Sequence, residues 1–144
     1  MPKNFLLVDD DIDDIELLRE GLSSVDETII CAEAANGFDA LDALESKPLP
    51  DLIFLDINMP KMDGWECLKV LKSNPAYNDV PVLMYSTSSN QKDISTASDL
   101  GAWGFYTKPD DFKSLKQKLR IIIDFFEKSD VNPKKYRNFN NITT

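Results

Sequence analysis

Residues 52–60 of the chain read Leu-Ile-Phe-Leu-Asp-Ile-Asn-Met-Pro, and Lys-Met-Asp-Gly follows at residues 61–64. Four apolar residues run directly into Asp56, and the proline and glycine after it interrupt regular structure. An apolar run of this length between turn residues is typical of a strand that is buried on both faces. Asp56 would then lie at the carboxyl end of a buried strand, which is where open α/β sheets place their ligands.

A carboxylate in that position is costly unless another group pairs with it. One interpretation is that Asp56 only ends the strand and caps the next turn. The other is that polar groups from distant parts of the chain meet Asp56 and form a site. The residues that follow the other strands favour the second interpretation.

Strand and helix patterns alternate five times along the chain. The predicted strands cover residues 4–8, 28–33, 51–55, 80–85 and 102–106. The predicted helices cover residues 11–23, 37–46, a segment between an N-cap at Asp63 and a stop at Asn74, residues 91–100 and residues 111–128. This alternation predicts an α/β fold with one five-stranded parallel sheet, doubly wound, with helices on both faces.

Apolar residues at helical spacing predict which face of each helix is buried. The predicted buried positions are Ile12, Ile15, Leu18 and Leu22 in the first helix, Phe38, Leu41 and Leu44 in the second, and Phe112, Leu115, Leu119, Ile122 and Phe126 in the last. Ile121 and Phe125 widen the last stripe, and if they are exposed they form an apolar patch.

In a parallel sheet the carboxyl ends of all strands lie at the same edge. The groups delivered to that edge are Asp9, Asp10, Asp56, Ser86 and Lys108. Acids Asp11, Asp13 and Asp14 are interpreted separately, as capping and solvating the first turn of a helix.

Three converging carboxylates raise one another's pKa unless a divalent cation lies among them, and ligands that are all oxygen favour Mg²⁺, with Mn²⁺ as the alternative. A lysine and a hydroxyl opposite such a cation form a clamp for a phosphoryl group. An aspartate inside the clamp is placed to act as a nucleophile.

Composition excludes several other functions. The 144 residues carry a formal charge of −9, which argues against a nucleic-acid surface. The absence of histidine excludes Ser-His and Cys-His catalytic pairs, histidine-ligated zinc and the role of a phosphohistidine donor. No apolar run approaches the roughly 20 residues of a membrane span, and we expect no signal peptide. Cys31 and Cys67 are predicted to be small buried residues in a reducing cytoplasm.

This arrangement resembles a response-regulator receiver domain of two-component signalling over about residues 4–128. The matching parts are Asp9-Asp10, residues 55–60 around Asp56, Met62-Asp63-Gly64, Ser86, and Lys108-Pro109. The resemblance implies a flavodoxin-like, three-layer α/β/α fold of the (βα)₅ type. The chain is also similar to the stand-alone receivers that serve bacterial phytochrome-type kinases.

The resemblance implies a role for each matching residue. Asp56 would be the phosphoacceptor. Asp10 and Asp56 would hold Mg²⁺ by their side chains, Asn58 by its backbone carbonyl, and Asp9 through water. Ser86 would turn toward a phosphoryl oxygen, with its neighbour Thr87 as the alternative if the register differs by one, and Lys108 would pair with that oxygen.

Further roles follow from the same resemblance. The peptide bond between Lys108 and Pro109 is expected to be cis. Asn58 and Ser88 would tune the lifetime of the phosphorylated state. Phe105 stands where the family often has a tyrosine that changes rotamer on activation; it would either switch by packing alone or simply be part of the core.

The implied phosphoryl donor is a sensor histidine kinase. We expect residues 129–144 to be a polar tail and no output domain to follow, so that the protein acts on a partner protein or forms a homodimer through residues 91–128. It would be an end-point switch or would pass the group on to a histidine phosphotransfer protein.

Two other functions compete with this interpretation. A phosphatase of the haloacid-dehalogenase type usually needs a second aspartate two residues after the nucleophile, where this chain has Asn58, which cannot act as a general acid. A receiver-like scaffold that is never phosphorylated commonly lacks one or more of the site residues, which are all present here.

Overall fold

The computed structural model of the chain describes residues 3–46, 48–87 and 90–128. Its strands are β1 Asn4–Val8, β2 Ile30–Ala34, β3 Leu52–Asp56, β4 Val82–Ser86 and β5 Gly104–Thr107. Its helices are α1 Ile12–Val25, α2 Gly37–Leu44, α3 Gly64–Ser73, α4 Gln91–Asp99 and α5 Phe112–Lys128. The predicted tail at residues 129–144 lies outside the described residues.

The five strands form one parallel sheet in the order β2-β1-β3-β4-β5. The predicted doubly wound α/β fold is therefore confirmed. Strand β3 is central and every one of its residues is buried, as its unbroken apolar sequence indicates. Because side chains alternate along a strand, Leu6 and Val8 of β1 pack on one face of the sheet while Phe5 and Leu7 pack on the other.

Edge strand β2 starts later than predicted, at Ile30 instead of residue 28. The carboxylate of Asp26 accepts hydrogen bonds from the backbone N–H of Thr28 at 3.0 Å and from its hydroxyl at 2.6 Å. In this turn the backbone N–H of Thr28 is bonded to the Asp26 side chain, so it is not available to a neighbouring strand. Since β2 has only one neighbouring strand, its Cys31 is half-buried instead of buried; Cys67 is fully buried as predicted.

Two predicted core positions are wrong. Ile12 is 72% exposed and Phe38 is 52% exposed. Ile12 is the first residue of α1, beyond the carboxyl edge of the sheet, and the buried positions of this helix begin only at Ile15. In α2 the buried residues are Gly37, Ala40 and Leu44, and Phe38 is one position off that face.

Helix α5 follows its predicted stripe at Leu119, Ile122 and Phe126, which are all buried. Ile121 is 59% exposed. Phe125 is half-buried, with its ring 5.7 Å from that of Trp103. Of the two residues predicted to widen the stripe, only Ile121 is open to solvent.

The start of α3 is packed directly against the segment that follows β3. The backbone N–H of Gly64 donates to the carbonyl of Ile57 at 2.8 Å. A Cβ at Gly64 would lie 2.3 Å from the carbonyl oxygen of Asp56 and 2.8 Å from the Cα of Ile57. Only glycine permits this approach, which holds the backbone of Asp56 and Ile57 against the start of α3.

None of the helices in the described part of the chain is long and apolar enough to cross a membrane.

Candidate functional site

The carboxyl edge of the sheet brings together the acids and the lysine that the sequence assigns to it. Asp9 and Asp10 follow β1, Asp56 is the last residue of β3, and Lys108 follows β5. Carboxylate oxygens of Asp9, Asp10 and Asp56 all lie within 4.8 Å of one another. Lys108 Nζ lies 3.1 Å from Asp9 Oδ2 and 3.4 Å from Asp56 Oδ1.

Two of the three acids are buried. Asp9 is 2% exposed and Asp56 is 4% exposed, whereas Asp10 is exposed. Asp9 Oδ1 accepts the backbone N–H of Asp11 at 3.0 Å, which turns the chain from β1 into α1. The acids line an open cleft together with Asn58, Thr87 and Lys108.

The two hydroxyl residues at the end of β4 are placed differently. Ser86 is the last residue of β4 and is buried, and its carbonyl accepts the backbone N–H of Lys108 at 2.7 Å. Thr87 is exposed and lines the cleft. The backbone of Ser86 therefore holds the backbone of Lys108 in place. Of the two hydroxyl residues, it is Thr87 that lines the cleft in this conformation.

The acids and the lysine change one another's ionisation. The pKa of Asp56 is raised to about 7; burial is the largest cause, the neighbouring Asp9 carboxylate adds to it, and Lys108 acts in the opposite direction. For Lys108, burial lowers the pKa, but Asp56, Asp14 and Asp9 more than offset that effect and the net shift is upward. Lys108 is thus an ammonium at neutral pH, and among the described ion pairs this one ammonium faces three carboxyl groups, those of Asp9, Asp14 and Asp56.

This excess of negative charge is an environment that a divalent cation stabilises. All available ligand atoms are oxygens, as Mg²⁺ and Mn²⁺ prefer. Asp9, Asp10 and Asp56 therefore fit a divalent metal site at this edge of the sheet.

The structure corrects the interpretation of Asp14 as a residue that only supports and solvates its helix. Asp11 is the N-cap of α1, as expected. Asp14 instead contacts the site, because its Oδ2 lies 3.0 Å from Lys108 Nζ. These residues are 94 positions apart, and no local pattern in the sequence indicates the contact.

Tyr85 is a second site residue that the sequence does not single out. Its hydroxyl donates to Asp9 Oδ2 at 2.9 Å, and Lys108 Nζ lies 4.7 Å from the centre of its ring. The ring stacks on that of Tyr106 at 5.5 Å. Burial, and then the charge of Asp9, raises the pKa of Tyr85 well above its ordinary value, so the hydroxyl remains a donor.

The structure locates only one of three further features that the resemblance implies. Phe105 is fully buried in β5 and packs in the core beneath α4. Ser88 lies outside the described residues. The cis bond before Pro109 stays a prediction.

Comparisons with known proteins agree with this geometry. The family model of the response regulator receiver domain matches residues 5–120. Response regulator Rcp1 of Synechocystis sp. is 35% identical over an alignment of 133 residues, and the match covers 87% of this chain and 89% of that protein.

Solved structures give the same result. The phosphorylated cyanobacterial phytochrome response regulator RcpA is similar with a TM-score of 0.82 and 32% identity, over 90% of this chain and 96% of that one. The Mn²⁺-bound form of Rcp1 has a TM-score of 0.78 and 33% identity, over 87% of this chain and 94% of that one. With the fold, the acidic cluster and the family match in agreement, this chain belongs to the response regulator receiver domains of two-component signalling.

Proposed function

We propose that this chain is a phosphoacceptor switch in which Asp56 receives a phosphoryl group from a sensor histidine kinase. The observation that carries the proposal is the position of Lys108 Nζ, 3.4 Å from Asp56 Oδ1, beside a cluster of acids that fits a divalent metal. A buried carboxylate between a cation site and an ammonium matches the charge of a transferring phosphoryl group.

In the proposed reaction a carboxylate oxygen of Asp56 attacks phosphorus, the P–N bond to the kinase histidine breaks, and the imidazole leaves with its electron pair. Mg²⁺, or Mn²⁺, would be held by the side chains of Asp10 and Asp56, the backbone carbonyl of Asn58 and, through water, Asp9; it would neutralise charge on the phosphoryl oxygens. Lys108 pairs with one phosphoryl oxygen. Ser86 turns out of its buried position to donate to another.

Receiver domains are signalling proteins rather than enzymes in the usual sense. We propose that this one catalyses only its own phosphorylation and dephosphorylation; in the second step water attacks phosphorus, the P–O bond to Asp56 breaks, and the Asp56 carboxylate and inorganic phosphate are released. Asn58 lies in the cleft and Ser88 follows the Ser86-Thr87 pair, so both would control how water reaches the phosphoryl group.

The switch would act through the surface formed by α4, β5 and α5. When Ser86 turns toward the phosphoryl group, Phe105 fills the space that it leaves by a change in packing alone. Ile121 on α5 supplies an exposed apolar side chain for a partner, and we propose that a second copy of the chain binds there. Sedimentation should show a dimer that the Ile121→Glu substitution weakens; a monomer at high concentration, with and without a phosphoryl mimic, would contradict this.

The relatives suggest which kinase supplies the group. RcpA is a cyanobacterial phytochrome response regulator, and we propose a phytochrome-type kinase as the donor for this chain. Whether the group ends here or passes to a histidine phosphotransfer protein is tested by adding such a protein to the phosphorylated chain and following the label.

The decisive experiment is the intact mass after incubation with acetyl phosphate and Mg²⁺, beside an Asp56→Ala variant. We expect a gain of one phosphoryl group that requires Mg²⁺ and is absent from the variant. A folded, Mg²⁺-binding protein that gains no mass would refute the proposal, and steady turnover of a phosphomonoester would favour a phosphatase instead.

A further inference from the structure

The Lys108 ammonium has three carboxylate neighbours, and one of them does not belong to the metal cluster. Its Nζ lies 3.1 Å from Asp9, 3.4 Å from Asp56 and 3.0 Å from Asp14. Asp9 and Asp56 are part of the three-acid cluster, whereas Asp14 belongs to the first turn of α1. The shortest of the three contacts is thus made by an acid with no assigned role in metal binding or phosphorylation.

We propose that Asp14 is a positioning residue that holds the Lys108 ammonium where an incoming phosphoryl oxygen can meet it. This role rests on the proposed function of Lys108 at Asp56. A lysine is a strongly hydrated point charge on a flexible four-carbon stem, so its position has to be defined by its neighbours. Here the ammonium is held between the carboxylate of Asp14 and the ring of Tyr85, and its side chain is only 17% exposed.

The three contacts respond differently when the site is loaded. A divalent cation held among the acids would attract the carboxylates of Asp9 and Asp56 and weaken their hold on Lys108. Asp14 is outside that cluster, so its contact with Lys108 persists. The ammonium then keeps one N–H on Asp14 and directs another toward the phosphoryl group, without the cost of ordering a free side chain.

The distances also show that Asp14 does not draw the lysine away from the acceptor. Nζ is within 3.4 Å of Asp56 while it remains 3.0 Å from Asp14. A phosphoryl group on Asp56 would therefore meet the ammonium close to its present position.

Asp13 provides a matched control. Asp13 and Asp14 are both acids of the first turn of α1, so the loss of either removes one negative charge and one favourable interaction with the helix dipole. Asp13 is exposed, and among the described ion pairs only Asp14 of the two contacts Lys108. Differences between Asp14→Asn and Asp13→Asn then report the contact with Lys108 rather than charge or helix stability.

The test measures the affinity for beryllofluoride, a tetrahedral mimic of the phosphoryl group, by calorimetry at saturating Mg²⁺, with Mg²⁺ affinity measured separately. Asp14→Asn should bind the mimic about two- to fivefold more weakly than Asp13→Asn, as expected for loss of one partly exposed ion pair. The two variants should bind Mg²⁺ equally. Asp14→Glu should recover part of the affinity, because it restores the carboxylate.

The other outcomes distinguish failure of the role of Asp14 from failure of the proposed function. If Asp14→Asn binds the mimic as well as Asp13→Asn does, or more tightly, Asp14 does not position Lys108 and the proposed function is unaffected. If the unsubstituted protein binds Mg²⁺ but not the mimic, the proposed function fails and this role fails with it.

Discussion

The contact between Gly64 and the backbone of Asp56 makes Gly64→Ala a sharp test of how the fold positions the site. A Cβ at this position would lie 2.3 Å from the Asp56 carbonyl oxygen, 2.8 Å from the Ile57 Cα and 3.0 Å from the Asp56 carbonyl carbon. All three atoms are backbone, so no side-chain rotation relieves the overlap. Normal contact distances would require a displacement of about 1 Å between α3 and the end of β3.

Overpacking of this kind costs about 1–3 kcal/mol of unfolding free energy. The displacement also moves the backbone that carries Asp56 and Asn58. We therefore expect Gly64→Ala to lower the unfolding free energy by about that amount in urea and to weaken Mg²⁺ binding as well.

Gly21→Ala is the control for the same chemical change. Its Cβ would lie 2.6 Å from Leu119 Cδ1, the flexible end of a side chain, and the gain in helix propensity is about 1 kcal/mol. Gly21→Ala should change stability little and leave Mg²⁺ affinity unaltered. A Gly64→Ala protein that is as stable as the unsubstituted protein and binds Mg²⁺ with the same affinity would show that this contact does not position the site.

Three further predictions concern the charges of the site. The pKa of Asp56 is raised to about 7 from 3.8 in metal-free protein, chiefly by burial, so the folded state holds this proton more strongly than the unfolded state does. The unfolding free energy should accordingly fall by up to about 4 kcal/mol as the pH rises from about 4 to about 7. Urea unfolding of Asp56→Asn should lack this part of the pH dependence. Tyr85→Phe removes a buried donor to Asp9 and should cost about 1.5–3 kcal/mol in urea; an unchanged midpoint would mean that the hydrogen bond at 2.9 Å contributes nothing net. Mg²⁺ should raise the melting temperature with increasing concentration, and should do so less in Asp10→Asn; equal shifts in both proteins would exclude Asp10 as a ligand.

The sequence alone determined the order and type of the elements and the edge of the sheet at which the acids and the lysine meet. Unbroken apolar runs such as 52–55 identify buried parallel strands, and the residue that follows each run is placed at one edge of the sheet by topology. Asp9, Asp10, Asp56 and Lys108 could be predicted together for this reason. The apolar runs and the residues that follow them can be identified from the sequence without knowing which side chains are in contact.

The tertiary structure decided what depends on distances between residues far apart in the chain. The sequence assigned Asp14 to its own helix, and only the packing of α1 beside the end of β5 places it on Lys108. Tyr85 is an ordinary strand residue by its sequence pattern, and only the folded sheet brings Asp9, at the end of β1 two strands away, to its hydroxyl. Ile12 and Phe38 match helical spacing but are exposed, because burial requires a neighbouring element above the residue as well as a position on the apolar side of its helix. Spacing is a local property of the sequence, whereas contact and burial depend on which elements the fold places beside each other.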